Sequence, residues 1–446
     1  MSKFKTFLFT ALLVLTVFAL PIEHKYDKPL RHLSTSLLKP EFHLPHYFEK
    51  NIYFYASDIA AIFLFFLALF AFRIPLRKLL SERGAPFLWL FLITVTLSIV
   101  FSPLAAYATL YTRLLPLLSS CLLFAILASA HEQKLPLTQI LLATLICAAT
   151  FQSILAIAQY FSQAHFGLRL LGEAPQPIGV FLCPQKTRWW IDHLFHYQTT
   201  NTMLFRASGT LPHPNVLGGF LALSLLASYP FFPRYGKFLA PLFSLQFFAM
   251  TLSFSRSALF GWALGTAFWF FRAKLSPNRL LASTIAITLI LTSALLFEQY
   301  SGRGGVVNYN RLAQNSDAIR LKAQATSMTI LKEHPLLGVG YQQFSHAYPP
   351  PYAPPHNIYL LIASETGLLS LLTFLAFLGI IFIRALRAPS TPWLTTPSAM
   401  FIALLFIGCC DFYPLSFQQG RLLFFLTAGL LALETTRATQ RTFQKA

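Results

Sequence analysis

The chain is short of acid and of charge altogether. Its 446 residues hold 15 Asp and Glu against 34 Lys and Arg, and charged residues make up only 11%. A soluble domain carries about 25% charged residues, so the surface this chain implies must mostly face lipid. Cysteine is also scarce. Cys121, Cys147, Cys409 and Cys410 fall in or beside apolar runs, and Cys183 alone lies clearly in a polar loop, which excludes a disulfide framework within the chain. No Asp-x-Asp or adjacent acidic pair stands in the long polar loops, and His and Asp/Glu do not recur at metal-ligand spacing. Neither Gly-x-Ser-x-Gly nor a Walker-type glycine loop occurs. Metal-dependent, serine-nucleophile and ATP-driven mechanisms therefore find little support, and neither a metal nor a cofactor is expected. Internal repeats and a sizeable soluble domain are missing too, so residues 1–446 read as a single transmembrane domain.

What is present is apolar sequence, 55% of the chain, arranged in continuous runs of the length a bilayer-crossing helix needs, roughly 15–22 residues. Alternating ten-residue strands are absent, so a barrel is not expected. The pattern predicts an all-α polytopic membrane protein with twelve spans, near 6–22, 58–74, 86–101, 109–130, 136–162, 215–232, 238–254, 257–271, 280–297, 362–383, 397–413 and 416–434. The first run is read as a retained span, because Leu20-Pro21-Ile22-Glu23 lacks a small-x-small cleavage pattern. With twelve spans, Lys3/Lys5, Arg73/Arg77/Lys78/Arg83, Lys134, Arg234/Lys237, Arg272/Lys274/Arg279, Arg384/Arg387 and Arg437/Arg441/Lys445 share one side, predicted to be cytoplasmic. The polar segments 23–57, 163–214 and 298–356 then fall outside. Half of the 34 Lys and Arg behind the net charge of +19 are this inside-positive signal, so no nucleic-acid partner is implied. A modest basic excess in the outer loops favours an anionic partner there.

Those loops carry the candidate chemistry. In 298–356, a helix is expected from about Asp317 to Lys332, capped by Asn315 or Ser316 and stopped at His334-Pro335, with Arg320 in its first turn. Pro349 to Pro355 then forms a stiff approach to His356. In 163–214, Pro214-Asn215 reads as a helix entrance. Trp189-Trp190 reads as an interfacial anchor or, alternatively, as a platform for stacking sugars.

Arginine offers a planar fork of donors that matches phosphate oxygens, so Arg206 and Arg320 on separate outer loops could clamp a pyrophosphate and stabilise a leaving group's charge. His356 is a candidate general base, since an ordinary imidazole titrates near pH 6.5. Each residue also has a plainer reading, the arginines as headgroup-facing charges and the histidine as a helix cap. Arg256 either extends the anion site or snorkels. Glu365, nine residues past His356, is half a turn out of phase on a helix and is not expected to pair with it.

Taken together, Arg206-Ala-Ser-Gly-Thr … His213-Pro214-Asn215 … Leu217-Gly218, then Ser255-Arg256-Ser257-Ala258, then Arg320 ahead of His334-Pro335-Leu336-Leu337-Gly338-Val339-Gly340, then His356-Asn357 … Glu365-Thr366-Gly367 resemble the O-antigen ligase/polymerase superfamily of bacterial membrane glycosyltransferases. The resemblance covers roughly residues 200–385. It implies a GT-C type fold of about twelve helices with helical periplasmic loops, in the inner membrane. It also implies a donor glycan on undecaprenyl pyrophosphate and, for a ligase, a lipid A-core hydroxyl as acceptor, joined with inversion and without metal. By motif position Arg206 and Arg320 look like pyrophosphate-binding arginines and His356 like the essential histidine. Arg256, His213, Asn215 and Asn357 are expected beside the substrate. The long 163–214 and 23–57 loops depart from a typical ligase. O-antigen polymerases, with a second carrier-linked glycan as acceptor, and O-linked protein oligosaccharyltransferases, with protein Ser/Thr, share the motifs. A lipid-linked glycan flippase is the rival from another class, although no matching pair of interrupted helices supports it.

Overall fold

The computed structural model describes residues 3–18, 25–29, 51–55, 61–64, 66, 75–81, 84–102, 114–132, 135–168, 171, 173, 182–184, 203–273, 278–301, 307–347 and 354–444. The chain is a polytopic bundle of helices. Among the described residues, six stretches are long and apolar enough to cross a bilayer: Leu115–Glu132, Leu137–Ser162, Pro214–Leu252, Ile358–Arg387, Pro392–Cys410 and Gln418–Thr442. Phe9–Phe18, Ala85–Val100 and Arg279–Ser293 are shorter apolar helices. The expected run 58–74 lies mostly outside the described residues.

In chain order the helices are α1 (Lys3–Phe18), α2 (Leu76–Ser81), α3 (Ala85–Val100), α4 (Leu115–Ser129), α5 (Leu137–Ser162), α6 (Pro214–Ser228), α7 (Phe232–Leu252), α8 (Arg256–Ala273) and α9 (Arg279–Ser301). They continue with α10 (Val307–Glu333), α11 (Phe344–Ala347), α12 (Ile358–Arg387), α13 (Pro392–Cys410), α14 (Tyr413–Ser416) and α15 (Gln418–Phe443). The tightest pairings are α8 with α13, α15 with α4, and α12 with α3. Gly265 permits the first, because a Cβ there would stand 2.8 Å from the Ala399 carbonyl oxygen on α13.

The expectation of purely helical outer loops needs correction. Lys25–Pro29 pairs antiparallel with Asn51–Tyr55 (β1, β2), and Leu182–Pro184 with Met203–Phe205 (β3, β4). The Ile52-Tyr53-Phe54-Tyr55 run has the β-branched and aromatic character that a strand favours. The helix expected from Asp317 begins ten residues earlier, at Val307. Asn315 and Ser316 are therefore interior residues rather than caps, and Arg320 sits mid-helix. Its end is as expected, with Glu333 last and a turn at His334-Pro335. Ile330 of α10, Val339, Phe344 and Leu361 form a small core that docks α10 onto the head of α12.

Helix α12 is broken at Gly367, whose φ of 81° only glycine adopts readily. Into that break runs the segment 335–344: Leu368 N–H donates to the Pro335 carbonyl at 2.8 Å, Gly340 N–H to Glu365 O at 2.7 Å and Val339 N–H to Ser364 O at 3.2 Å. A Cβ on Gly367 would lie 2.0 Å from the Leu336 carbonyl oxygen, and one on Gly338 (φ 62°) 2.5 Å from that of Glu365. The Glu365 carboxylate accepts from the backbone N–H groups of Gln342 (2.8 Å) and Phe344 (3.2 Å). The Glu-Thr-Gly and Gly-Val-Gly motifs thus form one joint that carries the head of α12.

Candidate active site

Arg206 follows β4 and enters the loop 206–212, which leads to the first turn of α6. Two glutamines seven residues apart on one face of α5 hold that loop. Gln159 Oε1 accepts from the N–H groups of Gly209 (2.8 Å) and Ser208 (3.3 Å), while its Nε2 donates to Gly209 O (2.9 Å) and to Glu173 Oε1 (2.7 Å). Gln152 accepts from Thr210 N–H and donates to Thr210 Oγ1, both at 2.9 Å. Glu173 is buried and also accepts from Phe166 N–H (3.0 Å), Leu168 N–H (2.6 Å) and the His165 ring (3.1 Å). Burial would raise its carboxyl, but these hydrogen bonds outweigh it and hold Glu173 below the usual carboxylate range.

With its loop fixed, Arg206 donates through Nε (3.0 Å) and Nη2 (2.7 Å) to the Ser253 carbonyl and through Nη2 to Asn215 Oδ1 (2.7 Å). Ser253 and Ser255 lie in the turn between α7 and α8. A Cβ on Gly218 would come 2.6 Å from Ser255 Cβ, so glycine at that position lets α6 approach the turn.

Asn215 is the second link. Its Nδ2 donates to Asp411 Oδ2 at 2.7 Å, and its backbone N–H donates to Nδ1 of His213, the N-cap of α6. His213 is pushed down to about 4 by burial and by the charge of Arg206, partly offset by Asp411. It is therefore neutral at pH 7, as an N-cap acceptor must be.

Asp411 lies one residue past α13 and is 3% exposed. Phe412 N–H donates to its Oδ1 at 2.8 Å. Burial alone would raise this carboxyl, but the adjacent His356 imidazole and the Asn215 amide outweigh it and keep Asp411 below its ordinary range. The Nδ1 of His356 stands 3.4 Å from Asp411 Oδ1, an ion-pair separation rather than a formed hydrogen bond. The imidazole meets the Phe412 ring edge-on at 5.0 Å. With Nδ1 turned to the carboxylate, Nε2 lies on the far edge of a ring whose side chain is 22% exposed.

The other expected residues take different places. Arg320 is half-buried on α10, within electrostatic reach of His213 and Cys410. Asn357 caps α12, accepting from the N–H groups of Tyr359 (2.9 Å) and Leu360 (3.0 Å) and donating to Cys409 O at 3.2 Å. It ties α12 to α13 and so fixes the residue before it, His356. Arg256 opens α8 and is exposed, three residues after Ser253. Trp189 and Trp190 lie outside the described residues.

The structure thus brings Asn215 and His356 onto one carboxylate, that of Asp411, with Arg206 and His213 joined to it through Asn215. In the sequence Asp411 is simply an ionisable residue at the end of an expected span. Its signal was an acid at membrane depth with no local partner, which calls for a distant one. Chemically, the arrangement offers an imidazole oriented by a buried anion, with guanidinium groups nearby.

No curated protein matches the chain. Residues 241–375 match the family model Wzy_C, described as O-antigen ligase. That stretch contains Arg256, Arg320, His356 and Asn357, whereas Arg206, His213, Asn215 and Asp411 reach the site from outside it. From residue 241 to residue 375 the chain carries a domain of the O-antigen ligase family, whose members are bacterial membrane glycosyltransferases acting on lipid-linked glycans.

Proposed function

We propose that the protein is an O-antigen ligase of GT-C type in the bacterial inner membrane, moving a glycan from undecaprenyl pyrophosphate to a lipid A-core hydroxyl at the periplasmic face. The observation that carries this is the line Arg206–Asn215–Asp411–His356, two hydrogen bonds and a 3.4 Å ion-pair separation, which would couple a phosphate-binding arginine to a general base through one buried carboxylate. His356 accepts the acceptor hydroxyl's proton on Nε2 while Asp411 holds Nδ1–H and stabilises the imidazolium formed. The hydroxyl oxygen attacks the anomeric carbon from the face opposite the phosphate. A single C–O bond forms as the sugar–phosphate bond breaks, and the configuration inverts. The electron pair leaves with undecaprenyl pyrophosphate, whose charge Arg206 and Arg320 stabilise, with Arg256 extending the anion site. His213, Asn215 and Asn357 hold these groups in place.

The test is transfer by the reconstituted protein from a radiolabelled undecaprenyl-pyrophosphate glycan to lipid A-core in EDTA, read on gels. One-step labelling of lipid A-core, abolished in His356→Ala with donor binding retained, is the expected result. Full activity in His356→Ala removes the base assignment, and loss in EDTA removes the metal-free reaction. A ladder of longer carrier-linked glycan would make the protein a polymerase, and labelled protein Ser/Thr an oligosaccharyltransferase. A flippase would give no covalent product.

A further inference from the structure

The end of the bundle opposite His356 holds a cleft of about 560 Å³ between the last turn of α12 and the last turns of α15, lined by Arg384, Arg387, Ala388, Pro389, Thr435, Thr439 and Thr442. Both arginines are exposed, and among the described residues neither has an acidic partner. Nor does the helix terminus beneath them need their charge. The guanidinium of Arg272, from α8, already serves the α12 carbonyls of Ala385, Leu386 (3.2 Å) and Ala388 (3.0 Å). The facing wall brings no acid. Thr435, Thr439 and Thr442 give their hydroxyl hydrogens to carbonyls one turn back on α15, and Glu434 is engaged away from the cleft by Thr138 (2.6 Å) and Arg437 (3.0 Å). Two positive charges therefore face an uncharged wall of small polar side chains across an open space.

A second observation bears on what fills that space. Leu372, Leu375, Ile383 and Leu386 are all exposed and fall within about a quarter of the α12 circumference at 100° per residue, an apolar stripe whose near edge lies about 40° round the helix from Arg387. Phosphate-binding charge at the end of an exposed apolar stripe matches an amphiphile, whereas a soluble phosphate has no use for the stripe. The neighbouring helix ends on this side, with Arg234, Lys237, Arg279 and Arg441, are basic as well, the pattern of a cytoplasmic interface.

We propose that this cleft is a binding site for one anionic phospholipid. Its phosphate lies between Arg384 and Arg387, its glycerol lies against the Thr435/Thr439/Thr442 wall, and an acyl chain follows the α12 stripe. The assignment does not depend on the reaction carried out at His356.

The test uses the full-length protein in phosphatidylcholine nanodiscs with and without phosphatidylglycerol, reading lipid retained per protein by native mass spectrometry and the thermal unfolding midpoint. Wild type is expected to retain phosphatidylglycerol selectively and to unfold at higher temperature with it. Arg384→Gln/Arg387→Gln loses the retention by about tenfold or more, as expected for two basic contacts at a membrane surface. Arg384→Lys/Arg387→Lys keeps most of it, and the charge-matched control Lys237→Gln/Arg441→Gln keeps it all. Equal retention of phosphatidylcholine, equal loss in the control, or unchanged retention in Arg384→Gln/Arg387→Gln overturns the proposal. So does inorganic phosphate that protects wild type as well as the lipid does.

Discussion

The two ends of this bundle treat arginine in opposite ways. At the His356 end, Arg206 is bound to the Ser253 carbonyl and Asn215, and Asn215 in turn to a buried Asp411. At the other end, Arg384 and Arg387 stand exposed over an open cleft. A side chain held by several partners before a ligand arrives costs little entropy to use, which suits a site that must stabilise charge as it develops. A free arginine reorganises at small cost and suits a fluid partner. If that contrast holds, changes at the first end alter rate steeply, and changes at the second alter binding and stability mildly.

The largest effect is expected from His356→Ala, which removes the proposed general base and lowers transfer by about 10²–10⁴-fold. Steady-state transfer with saturating donor measures it, and a drop of less than tenfold would sink the assignment. Asp411→Asn comes next. It keeps the shape of the link but takes the anion from His356 Nδ1, so the rate falls, though by less than in His356→Ala, while donor affinity changes little. An equal rise in donor KM would mean that Asp411 acts on Arg206 rather than on His356.

Gln159→Ala tests whether the Arg206 loop is held from α5. It leaves Gly209 N–H and Glu173 short of buried partners, at a cost of roughly 1–3 kcal/mol for each unsatisfied group. Donor KM rises and the unfolding midpoint falls, whereas exposed Lys237→Ala moves neither.

The smallest effect concerns pH. In the unfolded chain His213 titrates near the ordinary value of about 6.5, but in the fold it does so at about 4. Between those values the unfolded state binds a proton that the folded state refuses, so stability is full above the window and declines through it as pH falls. Replacing the imidazole by His213→Asn keeps a capping acceptor for Asn215 N–H and flattens that part of the melting-point profile. An unchanged profile would assign the acid sensitivity to other groups.

Much of the site was legible from residue type, because arginine, histidine and helix-capping asparagine announce their chemistry in a polar loop. Pro214-Asn215 marked a true helix start, and His334-Pro335 a true stop. What could not be read was partnership over distance. Asp411 meets Asn215 across 196 positions, and Gln152 and Gln159 are uncharged residues inside a span, where nothing local shows which loop they hold. The early start of α10 escaped notice for a different reason: residues 307–317 are polar and carry no apolar period to betray a helix. Arg421, in the sequence a charge near the start of the last expected span, is a buried brace that donates to the carbonyls of Leu415 (2.9 Å) and Ser416 (3.0 Å) at the end of α14.

The break at Gly367 divides α12 into a head, 358–366, and a shaft that continues to Arg387. The head is fastened to segment 335–344 by main-chain hydrogen bonds, while the shaft packs on α3 and α15. An interrupted helix does not pass on rotation or tilt as a rigid rod would. Bilayers of different thickness act on the shaft, which adjusts its inclination to the hydrocarbon depth. The imidazole, one residue before the Asn357 cap of the head, is thereby uncoupled from the tilt of the α12 shaft.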